Sequence, residues 1–143
     1  MIMAGYRFKS SKFEIEPGED AELSPGIYGR QLAQWLKERL EEKGYCVEDI
    51  LDEDWGRCLV CRCDPFLLSV GCGNVTDYKA EQSGDALPEK DDVLWHCFAT
   101  AELFFYWRRL FRRIETQPAV SELHRVLGDI LRAEVDVALV QEA

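Results

Sequence analysis

The sequence predicts a single α+β domain: a mainly antiparallel sheet packed by an N-terminal amphipathic helix, which crosses after the first strand, and a C-terminal helical pair. Three observations lead to this prediction. The chain has 143 residues, the usual size of one domain, so residues 1–143 are expected to share one two-layer core. Short β-prone runs alternate with turn-forming residues, as in antiparallel strands. Longer stretches carry apolar residues at helical spacing.

The first half of the chain is expected to contain a strand, a helix and a three-stranded meander. Residues 7–15 alternate loosely between apolar and polar, which predicts a short strand. Ser24 before Pro25 is typical of a helix start, and apolar residues then recur at helical spacing until Gly44, a candidate C-cap. Three strands are predicted to follow, at 45–51, 55–63 and 66–72.

The second half is expected to finish the sheet and then turn helical. Residues 76–92 are polar and predict a long exposed loop, while 93–101 are apolar on both faces, as in a central strand. Residues 103–114 predict a basic amphipathic helix. A final helix is expected after Pro118, and 135–140 predict an extension or an edge strand.

Charge and composition exclude several classes of function. The formal net charge is −10, so the surface should repel nucleic-acid phosphates, and direct nucleic-acid binding is not expected. No run has the length of a membrane span or of a signal peptide, which favours a cytoplasmic protein. In that compartment the six cysteines are expected to stay reduced.

The cysteines and histidines do not predict a metal site or a catalytic group. Cys58, Cys61 and Cys63 lie in a predicted strand, where Cys58 and Cys61 would point to opposite faces. The same alternation separates His96 from Cys97, so any base for that thiol would have to be His124. We therefore predict no catalytic residue, no metal and no cofactor.

An acidic turn is the first candidate site. Asp52, Glu53 and Asp54 place three carboxylates beside Trp55, an arrangement able to hold a cation or to supply acid and base groups. A solvated turn whose Trp55 anchors the end of the strand in the core explains the same residues. Both interpretations stay open.

A run of aromatic residues and arginines is the second candidate. Such residues are typical anchors of protein interfaces. The alternative is intramolecular pairing of the arginines with the acidic loops of the same chain. The predicted partner-binding residues are Phe104, Phe105, Tyr106, Arg108, Arg109, Arg112 and Arg113.

Three short segments carry a resemblance. Residues 25–33, PGIYGRQLA, with Gly44 and Tyr45 and the EDWG run at 53–56, resemble a family of uncharacterised small bacterial proteins. The resemblance covers about the first half of the chain. It implies a bacterial source and brings no activity or site residue with it.

The function predicted from these observations is a non-catalytic protein-interaction module, such as an inhibitor, an immunity-type protein or a small complex subunit. Its partner would be another protein or further copies of the chain. The alternative is a small enzyme or ligand-binding protein with a site near the acidic turn at 52–56 and the loop at 76–92. A deep cleft collecting Glu53, Asp54, His96 or His124 would favour the alternative.

Overall fold

The computed structural model describes residues 5–16, 28–63, 66–75, 93–103 and 116–142. Within these ranges the chain forms six strands and two helices. The strands are β1 (Gly5–Ser10), β2 (Val47–Glu53), β3 (Gly56–Cys63), β4 (Phe66–Asn74), β5 (Trp95–Leu103) and β6 (Val137–Glu142). The helices are α1 (Arg30–Glu42) and α2 (Gln117–Ala133).

The strands form one sheet in the order β2-β3-β4-β5-β1-β6, and every neighbouring pair is antiparallel. The run from β2 to β5 follows chain order, whereas β1 lies between β5 and β6. Tyr6 therefore pairs with Cys97, and Phe8 pairs with both Trp95 and Leu139. These contacts join the two ends of the chain in the same half of the sheet.

Both helices pack on one face of this sheet. α1 lies against β2, β3 and β4, and α2 lies against β5 and β6. Burying a large apolar side chain contributes about 1.5–3 kcal/mol, so this layer contributes most of the hydrophobic stabilisation. Its largest fully buried side chains include Tyr6, Phe8, Phe13, Leu32, Leu36, Leu59, Trp95, Leu123 and Leu127.

Local sequence explains where α1 begins and ends. Gly29 precedes it with φ 129°, outside the helical region, and the backbone N–H of Tyr28 donates to Oδ1 of Asn74 at 2.8 Å. The hydrogen bond ties the chain to β4 before the helix starts, and the conformation of Gly29 is not helical. At the other end, Gly44 has φ 94° and its N–H donates to the carbonyl of Glu41, as predicted for a left-handed cap.

The predicted arrangement of helices is wrong. Among the described residues, no helix lies N-terminal to the sheet: α1 stands between β1 and β2. It starts at Arg30 instead of Ser24, because the backbone N–H of Tyr28 is bound to Asn74 of β4. A C-terminal helical pair is also absent from the described residues. Leu103, the predicted start of a helix, ends β5, and α2 is followed by β6.

The strands predicted near the two ends of the sequence have different outcomes. The strand predicted at 7–15 ends at Ser10, because Phe13 leaves the sheet and packs between Trp35 and Trp95, with ring centroids 5.3 Å and 6.0 Å away. Of the two alternatives predicted at 135–140, an extension or an edge strand, the structure has the edge strand, β6, which runs from Val137 to Glu142. The loop predicted at 76–92 lies outside the described residues. Neither α1 nor α2 is long and apolar enough to cross a membrane.

Candidate functional site

The sheet has a second face, opposite the helices, and it carries the candidate site. Strand alternation sends Tyr6 and Cys97 toward the helices, so Arg7, His96 and Phe98 point the other way. The register extends this second face across five strands. Its members include Arg7 on β1, Leu51 and Glu53 on β2, Cys58 on β3, Gly71 and Gly73 on β4, and His96 and Phe98 on β5.

Three rings meet on the second face, and we call Trp55, His96 and Phe98 the aromatic cluster. The ring centroid of Trp55 lies 5.5 Å from that of Phe98 and 6.5 Å from that of His96. His96 and Phe98 are nearly parallel, at 13° and 6.0 Å. Trp55 belongs to the turn before β3 and is 40% exposed, so the cluster bridges β4 and presents an accessible aromatic surface.

Glycines in β4 make room for these rings. A Cβ atom on Gly71 would collide with the ring of Phe98, which therefore lies directly over that residue. A Cβ atom on Gly73 would lie 3.2 Å from the carbonyl oxygen of Trp55 and 3.7 Å from Nε2 of His96. Each of the two rings on β5 therefore lies beside a glycine on β4. A larger residue in place of Gly71 or Gly73 would displace the aromatic cluster.

His96 is the only titratable member of the cluster. Burial lowers its pKa below the ordinary value of 6.5, and the nearby positive charge of Arg7 lowers the pKa further. The imidazole is therefore neutral at pH 7. In that form it behaves as a third aromatic ring with one hydrogen-bond donor and one acceptor.

The structure divides the acidic turn between the two faces. Oδ1 of Asp52 lies 3.3 Å from Nε of Arg57, whose side chain is only 4% exposed on the helix side. Glu53 lies on the second face, and Asp54 and Trp55 form the turn between β2 and β3. Trp55 does not anchor the strand in the helix-side core, because its ring packs on His96 and Phe98 instead.

The cysteines are separated in the same way. Cys61, Cys72 and Cys97 are buried on the helix side, whereas Cys58 lies on the second face. Burial raises the pKa of Cys72 to about 12, only partly offset by Arg57, and burial also raises the pKa of Cys97. These two thiols stay protonated at neutral pH, so neither offers a thiolate. The described residues hold no cluster of three potential metal ligands.

The two histidines do not share a site. His96 is on the second face, and the ring of His124 stacks on Tyr6 on the helix side, with centroids 4.5 Å apart. His124 is therefore the histidine nearer to the side of Cys97, but burial keeps that thiol protonated. Within the described ranges, the two imidazoles are therefore on opposite faces of the sheet and cannot both meet the carboxylates of the turn.

The predicted partner-binding run at 104–113 lies outside the described residues. Sequence reasoning missed the roles of His96, Phe98, Gly71 and Gly73. The sequence does contain a signal: His96 and Phe98 alternate with apolar residues in β5, and Gly71 and Gly73 alternate in β4. It becomes meaningful only through the register that sets Phe98 beside Gly71 and His96 beside Gly73.

No protein-family model, no curated protein and no solved structure matches this chain. The resemblance of residues 25–33 and 53–56 to a bacterial family stays a prediction.

Proposed function

We propose that this protein is a non-catalytic interaction module that binds a protein partner through the second face of its sheet. The observation that carries the proposal is the aromatic cluster, three rings gathered beside the β2–β3 turn on a sheet face on which neither described helix packs. Trp and other large aromatic side chains often dominate the binding energy of protein interfaces.

A charged residue lies on each side of the aromatic cluster. Glu53 and Arg7 are both exposed, and they flank the cluster on β2 and β1 respectively. An apolar centre with a charged rim is the usual anatomy of a protein interface, in which the rim sets orientation and specificity more than affinity. The partner should therefore present an apolar patch between a basic and an acidic group.

The alternative, a small enzyme or ligand-binding protein near the acidic turn, has less support. Catalysis by acid–base groups needs them within hydrogen-bond reach of one another or of one substrate. Here Asp52 is engaged by Arg57 on the helix side, and His96 and His124 lie on opposite faces. The second face supports binding better than it supports chemistry.

Native mass spectrometry of the full chain, isolated gently from its own source, tests this function. We expect a reproducible adduct with a protein, either another chain or a second copy. The variant Trp55→Ser should lose the adduct, because it removes the most exposed ring of the cluster. Val135→Ser is the matched control: Val135 is 95% exposed in the turn before β6, outside the cluster.

Three results would refute the proposal. A bare monomer from the native source would show that no stable partner exists. Equal loss of the adduct in Trp55→Ser and Val135→Ser would place the binding surface elsewhere. A bound metabolite in place of a protein would favour the ligand-binding alternative.

A further inference from the structure

On the second face, one row of residues has a negative charge at one end and a positive charge at the other, and β4 lies between them. This row runs from Glu53 on β2 through Gly56, Gly73 and His96 to Arg7 on β1. Gly73 on β4 is the middle of the five. The negative and positive ends lie two strands away from it on opposite sides, and neither end forms an ion pair with another described residue.

In the neighbouring row, residues at equal distances on the two sides of β4 differ in size. It runs from Leu51 through Cys58, Gly71 and Phe98 to Gly5. The bulky Leu51 lies two strands to one side of Gly71, and Gly5 lies two strands to the other side. Likewise the large Phe98 corresponds to the smaller Cys58.

We propose that the partner bound by the second face is a second copy of this chain, related by a two-fold axis that runs along β4. This inference rests on the proposed function. Such an axis lays β2 of one copy over β1 of the other, and it keeps each row facing itself. Glu53 then meets Arg7 of the second copy, and the reciprocal contact forms at the other end of the row.

The same operation matches the shapes. Leu51 lies opposite Gly5 of the other copy. The ring of Phe98 covers Gly71 in each copy, so the two Phe98 rings meet across the axis. Sheets packed face to face are about 10 Å apart and need large side chains opposite small ones to interdigitate. The aromatic clusters bridge β4 in each copy, so they meet near the axis, at the end of the sheet beside the β2–β3 turns.

Local complementarity must outweigh an overall repulsion. Each chain has a net charge of −10, which opposes association of two copies. The two Glu53–Arg7 contacts place opposite charges together at the interface, where their separation is short. Specific pairing, and not general attraction, is therefore what the geometry supports.

Charge reversal tests the pairing, with sedimentation velocity of the purified full chain over a range of concentrations. The wild-type chain should form a dimer. Glu53→Arg and Arg7→Glu should each weaken the dimer about tenfold or more, because each creates two like-charge contacts. Glu53→Arg moves the net charge toward zero, so a weaker dimer cannot come from general repulsion.

Mixing the two variants gives the decisive result. In a mixed dimer, both contacts join opposite charges again, so an equimolar mixture should associate at least about tenfold more tightly than either variant alone. Asp136→Arg and Lys43→Glu make the same charge changes at exposed positions outside the second face. Both controls should dimerise, and their mixture should show no rescue.

The outcomes separate this inference from the proposed function. A purified chain that stays monomeric, together with a different protein that is captured from the source and lost in Trp55→Ser, refutes self-pairing and leaves the interaction function standing. A dimer that is insensitive to both reversals also refutes the inference, because its interface lies elsewhere. A monomer that captures nothing refutes both.

Discussion

Arg57 shows, at the scale of a residue, how strand alternation decides the environment of a polar side chain. Its neighbours Gly56 and Cys58 face the second side, so the guanidinium enters the helix-side core, where it is 4% exposed. A buried charge needs a partner, and Asp52 supplies one from the adjacent strand at 3.3 Å. Nothing in the local sequence marks this arginine as different from an exposed one.

His96 gives a prediction about pH. Since its pKa is lowered in the folded protein, the unfolded chain binds more protons between that pKa and the ordinary value of 6.5. The stability contribution of His96 is therefore present above pH 6.5 and is lost as the pH falls toward the folded-state pKa. His96→Phe keeps a ring in the cluster and removes the titration. Its free energy of unfolding, measured with urea, should fall less on acidification than that of the wild type.

The variant Arg7→Gln provides the control for this titration. It removes the second cause of the shift and leaves burial in place, so the His96 pKa, followed by NMR, should rise but stay below 6.5. A wild-type pKa at or above the ordinary value would contradict the described burial of the ring.

At the scale of elements, α2 approaches the sheet through a glycine. Helices usually avoid glycine in their interior, because alanine is favoured there by about 1 kcal/mol. Gly128 is buried, and a Cβ atom on it would lie 2.5 Å from the hydroxyl oxygen of Tyr6 and 3.0 Å from Cζ of that ring. The glycine therefore allows α2 to pack closely on β1, and Tyr6 then donates to the carbonyl of His124 at 2.9 Å.

Gly128→Ala should therefore destabilise the protein, although alanine favours helix. We expect a loss of about 1–3 kcal/mol in thermal or urea unfolding, because the added methyl group must push α2 away from Tyr6. Tyr6→Phe removes the closest atom at the expense of one hydrogen bond. The double variant should lose less than the sum of the two single losses. Additive losses, or a stabilising Gly128→Ala, would show that α2 has room at this position.

At the scale of the whole molecule, the two faces of the sheet differ in burial. The helix-side layer contains the fully buried side chains that stabilise the fold, such as Leu36 and Leu127. On the second face, the half-exposed aromatic cluster lies over Gly71 and Gly73. It contributes less buried apolar area than the helix-side layer. Under the proposed function, stability and binding therefore depend on opposite sides of the same six strands.

This division predicts that substitutions on the two faces separate stability from binding. Leu36→Ala should lower the free energy of unfolding by about 2–5 kcal/mol, because it leaves a cavity in the core. Trp55→Ser should lower it by only about 1 kcal/mol, since the ring is half-exposed. Urea unfolding measures both, and native mass spectrometry then shows whether Leu36→Ala, where folded, keeps the adduct. Equal destabilisation would make the cluster part of the core.

Much of the local structure could be predicted because its causes are local. The strand predicted at 55–63 is β3, the cap predicted at Gly44 is observed, and alternation alone separates Cys58 from Cys61 and His96 from Cys97. Each of these depends on neighbouring residues and on the period of a strand or helix. The start of α1 was mispredicted, because the hydrogen bond that defines it comes from Asn74 on a distant strand.

By itself, therefore, the sequence determined the strand periods, the acidic charge and the presence of an acidic turn, which was predicted at 52–54 and lies at Asp54 and Trp55. Only the tertiary structure decided that β1 lies between β5 and β6, that Trp55 packs on His96 and Phe98, and that both described helices cover one face. The reason is physical. Periodicity indicates that a strand has two faces, whereas the identity of each face depends on register between strands that are far apart in the chain.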